Sequence, residues 1–141
     1  MKAVTVIGAG FAALTAVKHL RRRLPDAALT LVAPSAQFVY YPSLIWLPSG
    51  LRRGEDLRLD LSAWLDAQGV NFQCGAVQGL REGGRVVVTD RGELANDGLL
   101  IASGGRFTKA LPGIEHAHTL CEGIPFQAVL RSTETHLITV S

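Results

Sequence analysis

A chain of 141 residues with a net charge of +2 is long enough for one buried core, and its weak charge points to no nucleic-acid partner or anionic membrane. Apolar types make up 48% and charged types 18%, which excludes a disordered chain, and no apolar run reaches membrane-spanning length. Cys74 and Cys121 lack CxxC spacing and His116-x-His118 lacks further ligands, so neither a disulfide scaffold nor a metal site is expected.

In chain order, Val4, Val6 and Ile7 predict a short strand buried on both faces. Gly8-Ala9-Gly10 breaks it. From Phe11 the spacing turns helical: Leu14, Val17, Leu20 and Leu24 recur at three- and four-residue steps, with Lys18, Arg21 and Arg22 facing outward. Pro25-Asp26 stops this helix, and Arg21-Arg22-Arg23 complement the dipole at its end. Otherwise they form a solvated face, as Arg52-Arg53 do. Lys2 and the apolar stretch to Val17 could pass for an export signal. The glycine interruptions, the helical pattern running on to Arg23 and the lack of a clear cleavage site favour a cytoplasmic location instead. Leu29 to Val32 predicts a second strand, closed by Pro34. Strand, glycine turn, helix and strand within about 30 residues make a βαβ unit.

Residues 35–54 read as irregular and unusually apolar, with Phe38, Tyr40, Tyr41, Leu44, Ile45 and Trp46 among Pro42, Pro48 and Gly50. A loop of this kind should cover a ligand or another domain. Asp60 or Ser62 is placed to cap a helix through Gln68, ended by Gly69. Val70 to Gly75 is a third strand, with Cys74 as core. Glu82-Gly83-Gly84 and Asp90-Arg91-Gly92 flank Val86-Val87-Val88 and predict a small antiparallel meander. Leu99 to Ala102 is a further strand before Ser103-Gly104-Gly105. Phe107 to Thr135 reads as loop with some helix, and Leu137 to Val140 starts another strand.

Gly8-x-Gly10-x-x-Ala13 carries the chemistry. Gly8 permits the tight turn, Gly10 lets a pyrophosphate approach the backbone, and Ala13 lets helix and strand pack closely. The phosphates would meet amides at the helix start, where the dipole supplies about half a positive charge. The string alone is a weak signal; following a strand and opening a helix, it points to dinucleotide binding. One part of this fingerprint is absent: Ala33 stands where an acid usually holds the ribose hydroxyls. Ser35, a backbone group or water must serve there, and no arginine follows to favour a 2′-phosphate.

Three segments carry a resemblance. Asp97-Gly98-Leu99-Leu100-Ile101-Ala102-Ser103-Gly104 resembles the apolar-strand-then-ATG signature of two-dinucleotide-domain flavoproteins, with Ser103 for the threonine. Phe38-x-Tyr40-x-Pro42 through Trp46 and Gly50, then Arg52 and Glu55-Asp56, is similar to the segment after the second strand in sulfide:quinone oxidoreductases and their relatives, which include flavocytochrome c sulfide dehydrogenase and the type II NADH dehydrogenases. His118-Thr119-Leu120-Cys121 resembles the stretch where sulfide:quinone oxidoreductases carry a cysteine near the flavin, although Glu122-Gly123-Ile124-Pro125 departs from the helical, acidic continuation of that family. That subfamily often lacks the acid that Ala33 replaces.

The resemblance covers nearly the whole chain, but only the first third of such an enzyme. It implies an α/β fold: a Rossmann-like βαβ parallel sheet with a small antiparallel β-meander, incomplete as a two-dinucleotide-domain flavoprotein. Residues 1–115 would be the FAD-binding domain and 116–141 a connecting segment toward a missing second nucleotide-binding domain. It further implies FAD as cofactor, with Gly8, Gly10, Phe11, Ala12 and Ala13 around the pyrophosphate. Ala33 and Pro34 would border the adenosine ribose, and the Val77 backbone would meet the adenine edge. Pro42 would lie beside the isoalloxazine, and Ser103 and Gly104 near the cofactor. Cys121 is the one candidate for redox chemistry. Tyr40, Tyr41 and Trp46 either stack on a flavin or form a local hydrophobic cluster.

The function this implies is electron transfer from sulfide or NADH through flavin to a quinone or cytochrome, with little turnover expected of these 141 residues alone. A missing C-terminal part or a partner chain is expected, or self-association through the apolar 38–47 loop that an open cleft would expose, and full-length relatives often sit at a membrane surface. Two readings from other classes stand beside it: a small non-catalytic NAD(H) sensor, and a truncated interaction module.

Overall fold

The computed structural model describes residues 2–105 and 112–113. The expectations for Cys121, His116, His118, the tail from Phe107 to Thr135 and a strand at Leu137 to Val140 lie outside these residues, as does most of the 116–141 segment.

The chain is divided into two compact units. The first comprises Met1–Phe38 and Asp60–Gly104, and the second includes Val39–Leu59. In the first unit, β-branched residues make β1 (Ala3–Ile7), whose Val6 is fully buried. Helix α1 (Phe11–Arg23) follows, burying Ala13 and Val17 one turn apart, and leads to β2 (Ala28–Ala33). Next come β3 (Gln37–Val39) and β4 (Arg58–Asp60), which pair as a two-stranded ladder. A short α2 (Ser62–Ala67) precedes β5 (Val70–Cys74). The meander is β6 (Val77–Arg81), β7 (Val86–Thr89) and β8 (Gly92–Ala95), and β9 (Gly98–Ile101) ends the described fold.

The main sheet is parallel, in the order β5-β2-β1-β9. Chain direction therefore reverses around β1: the chain first adds β2 and β5 on one side, then β9 on the other. In open parallel sheets this switch point, at the carboxyl ends of the strands, is where ligands bind. Val6, Ala13, Val17, Leu29, Leu31 and Leu65 form the core beneath that edge. The meander stands as expected, as a separate three-stranded antiparallel sheet, β6-β7-β8.

Three local expectations are corrected. Arg21 does not simply face solvent. It is half-buried, its Nε donates to the Gln68 carbonyl at 2.8 Å, and its two terminal nitrogens donate to the carbonyls of Pro25, Ala27 and Gly69 at 2.8, 3.0 and 2.8 Å. The fork thus clasps the end of α1 to the end of α2, a role that helical spacing cannot reveal because the Gln68 and Gly69 carbonyls are remote in sequence. Asp60 does not cap α2, whose N-cap is Leu61. Its Oδ1 accepts the Ser62 amide at 2.7 Å, and the Ser62 hydroxyl followed by that amide holds the Asp60 carboxyl below its ordinary value. Cys74 is half-buried rather than core, and its thiol donates to the Pro34 carbonyl at 3.2 Å.

In the second unit the stretch read as irregular holds two short 3-10 turns, Tyr41–Trp46 and Gly54–Leu57. Leu44, Leu47 and Leu57 form its own small core. Of the two readings for the aromatics, the local cluster is built of leucines instead, while Tyr40, Tyr41, Ile45 and Trp46 are exposed.

Candidate functional site

The site is the carboxyl edge of the parallel sheet around β1, and the sequence folds there through backbone bonds that run past the strand ends. The Gly8 amide donates to the Val32 carbonyl at 2.8 Å, which carries the β1–β2 ladder one residue into the turn. On the other flank the Ala102 amide donates to the Ile7 carbonyl at 2.8 Å. Gly8 has φ +115°, and a Cβ on it would meet the Ala102 carbonyl oxygen at 2.2 Å. Glycine is required by both conformation and space.

Gly10 is different. It is the N-cap of α1 with φ −88°, a conformation open to any residue, and a Cβ there would touch nothing within 4 Å. The position is exposed, with room beside the backbone for a group to approach it. No side chain caps this helix and its first turn holds no acid. The positive end of the helix dipole is therefore not offset by a carboxylate of its own first turn, which suits an anion. Ala12 is exposed and Ala13 fully buried, so Ala13 offers a ligand only its amide. Phe11, 52% exposed at the helix start, packs edge-on against Phe38 with ring centroids 4.8 Å apart.

At the end of β2, Ala33 is buried and its carbonyl accepts the Gly75 amide at 3.0 Å. The exposed surface beside it is Pro34 and Ser35, and no carboxylate ends this strand. Ser103 and Gly104 lie exposed beyond β9, where the chain passes the glycine turn. Val77 opens β6, two residues past the Ala33–Gly75 bond. The first unit therefore brings Gly8, Gly10, Phe11, Ala12, Ala13, Ala33, Pro34, Ser103 and Gly104 to one edge, with Val77 following the end of β5. Pro42 belongs to the second unit, exposed in the first turn of Tyr41–Trp46. Cys121 lies outside the described residues.

Two aspartates escape sequence reasoning, Asp97 at the opposite, amino end of the parallel strands and Asp90 beside the end of β5. Asp97 accepts the Ala3 amide through Oδ2 and donates its own amide to the Ala3 carbonyl, both at 2.8 Å, which sets the register of β9 against β1. Asp90, read only as a turn residue, accepts the Ala76 amide at 2.8 Å. The signal for both was an aspartate at a strand end, where a short carboxylate reaches neighbouring amides.

Among the described residues no three His, Cys, Asp or Glu are grouped to hold a metal ion, and no helix is long and apolar enough to cross a membrane. A family model described as pyridine nucleotide-disulphide oxidoreductase matches residues 2–136. The sulfide-quinone reductase of Aquifex aeolicus (strain VF5) is 28% identical over 119 residues, 84% of this chain and 28% of that protein. The X-ray structure of the sulfide:quinone oxidoreductase from the same bacterium superposes with a TM-score of 0.83 at 26% identity, covering 93% of this chain and 32% of that one. The structure of NDH2 from Plasmodium falciparum in complex with NADH has the same fold, with a TM-score of 0.74 at 17% identity over 92% of this chain and 28% of that one. The chain thus spans less than a third of the length of these relatives.

Proposed function

The chain belongs to the pyridine nucleotide-disulphide oxidoreductase family, whose members related to it are FAD-dependent flavoproteins, and from that premise we propose that its first unit holds the ADP half of FAD at the carboxyl edge of the parallel sheet. The observation that carries this reading is the pairing of Gly8 and Gly10. One glycine closes the strands β1 and β9 tightly together, and the other leaves an open cradle over an uncapped helix start. The pyrophosphate would rest on the amides of residues 10–13, the ribose against Pro34 and Ser35, and the adenine on the Val77 backbone. Ser103 and Gly104 would flank the path toward the flavin ring, with Pro42 beside the ring itself.

When bound, the flavin would supply the electron transfer, from sulfide or NADH to a quinone or cytochrome. This chain's residues bind and orient it. Cys121 would be the thiol nearest that chemistry. The lack of a carboxylate at the end of β2 weighs against NAD(H) as the preferred ligand. The site would be completed by sequence beyond these residues or by a partner, and the 141 residues alone would turn over little substrate.

Fluorescence titration of the purified chain with FAD and separately with NADH tests this. Saturable FAD binding at least tenfold tighter than NADH is expected; NADH binding more tightly would overturn the flavin reading.

A further inference from the structure

The turn between β7 and β8 is braced more firmly than a surface hairpin needs. Thr89, only 6% exposed, donates its hydroxyl to the Gly92 carbonyl at 2.8 Å and accepts the Arg91 amide at 3.1 Å. This braced turn presses on the end of β5. The Asp90 carboxylate accepts the Ala76 amide at 2.8 Å while the Asp90 amide donates to the Ala76 carbonyl at 3.1 Å. A Cβ on Gly75 would lie 3.1 Å from Asp90 Oδ1 and from the Thr89 side chain, so glycine permits the approach. On its other side Gly75 is tied to Ala33. Ala33, Gly75, Ala76 and Asp90 form one continuous bonded path from the ribose end of β2 to the turn.

The bond from Asp90 to the Ala76 carbonyl fixes what lies next. Val77 pairs with Thr89. Because the bond falls on the flanking residues, this is a non-hydrogen-bonded antiparallel pair, in which the backbone N–H and C=O point away from the partner strand. The Val77 amide and carbonyl therefore face outward along the edge of β6, where no described strand pairs with the meander. A donor and an acceptor from one residue, side by side on an edge, complement adenine: N1 accepts and the N6 amino group donates. Immediately beyond Val77 the ladder shifts register, between Val77 and Gly79, which ends the regular pairing on that side.

We propose that Asp90 is a positioning residue for base recognition, holding Ala76 so that the Val77 backbone meets an adenine rather than another base. This rests on the dinucleotide reading above. Without the carboxylate the Ala76 amide loses its partner, and only the residue-90 amide on the Ala76 carbonyl holds that peptide against the turn. Asparagine keeps an accepting oxygen at the same place.

The test compares ADP, IDP and inorganic pyrophosphate, by calorimetry, on the wild-type chain, Asp90→Ala and Asp90→Asn, with FAD titrated on the wild type in parallel. IDP presents a carbonyl and a ring N–H where ADP presents its amino group and N1. The wild type is expected to prefer ADP over IDP by about tenfold. Asp90→Ala should reduce that preference to less than about threefold with pyrophosphate affinity unchanged, and Asp90→Asn should restore it. A preference intact in Asp90→Ala, a uniform loss for all three ligands, or no rescue by asparagine overturns the role of Asp90. A wild type that fails to bind FAD overturns the flavin reading instead.

Discussion

Gly8 and Ala102 lie so close that a Cβ on the first would stand 2.2 Å from the carbonyl oxygen of the second. The contact joins the end of β1 to the chain leaving β9, the two strands flanking the switch point. Gly8→Ala should lower unfolding stability by about 3 kcal/mol, from steric overlap and from an L-residue forced to φ +115°. Urea denaturation followed by circular dichroism measures it, and a change under about 1 kcal/mol would contradict this geometry.

Gly10 separates binding from folding. Its φ of −88° and the empty space around a built Cβ mean that Gly10→Val should cost about 1 kcal/mol of stability at most. The isopropyl group would occupy the cradle, so FAD affinity should fall at least tenfold. Equal FAD affinity in the variant, by fluorescence titration, would place the phosphates elsewhere.

Much of this was legible in the sequence, for a physical reason. Strand, glycine turn, helix and meander are local patterns, set by side-chain period and by turn chemistry within a few residues. The aspartates and Arg21 were not legible, because their partners are backbone groups brought near only by tertiary packing. Asp97 meets Ala3 across 94 residues, and Arg21 meets Gln68 across 47. The short turns within 41–57 leave no period in the sequence, because they rest on only three buried leucines, Leu44, Leu47 and Leu57.

Arg21→Met keeps the aliphatic stem and removes the fork that serves four carbonyls. A loss of about 2 kcal/mol is expected, and Arg21→Lys should recover less than half of it, because an ammonium cannot reproduce the planar geometry. Both are read from urea midpoints. Full recovery in the lysine variant would reduce the role of Arg21 to simple charge.

Asp60 gives a pH dependence whose sign follows from its hydrogen bonds. The Ser62 hydroxyl and amide lower its pKa in the folded chain from 3.8. Its contribution is therefore fully present above that unfolded value and is lost as pH falls through the lower folded one. Asp60→Asn should flatten the acid limb of the stability profile below about pH 4 and leave its slope near pH 7 unchanged. An acid limb as steep as in the wild type would show that other carboxylates govern it.

In the proposed complex, backbone amides around the glycine turn grip the diphosphate of FAD. Amide chemical-shift mapping of the isotope-labelled chain during FAD addition tests it most directly. The largest shifts are expected at Gly8, Gly10, Phe11, Ala12 and Ala13, with further shifts at Val77, Ser103 and Gly104 and almost none in β8. Saturation with FAD while the amides of residues 8–13 stay in place would contradict it.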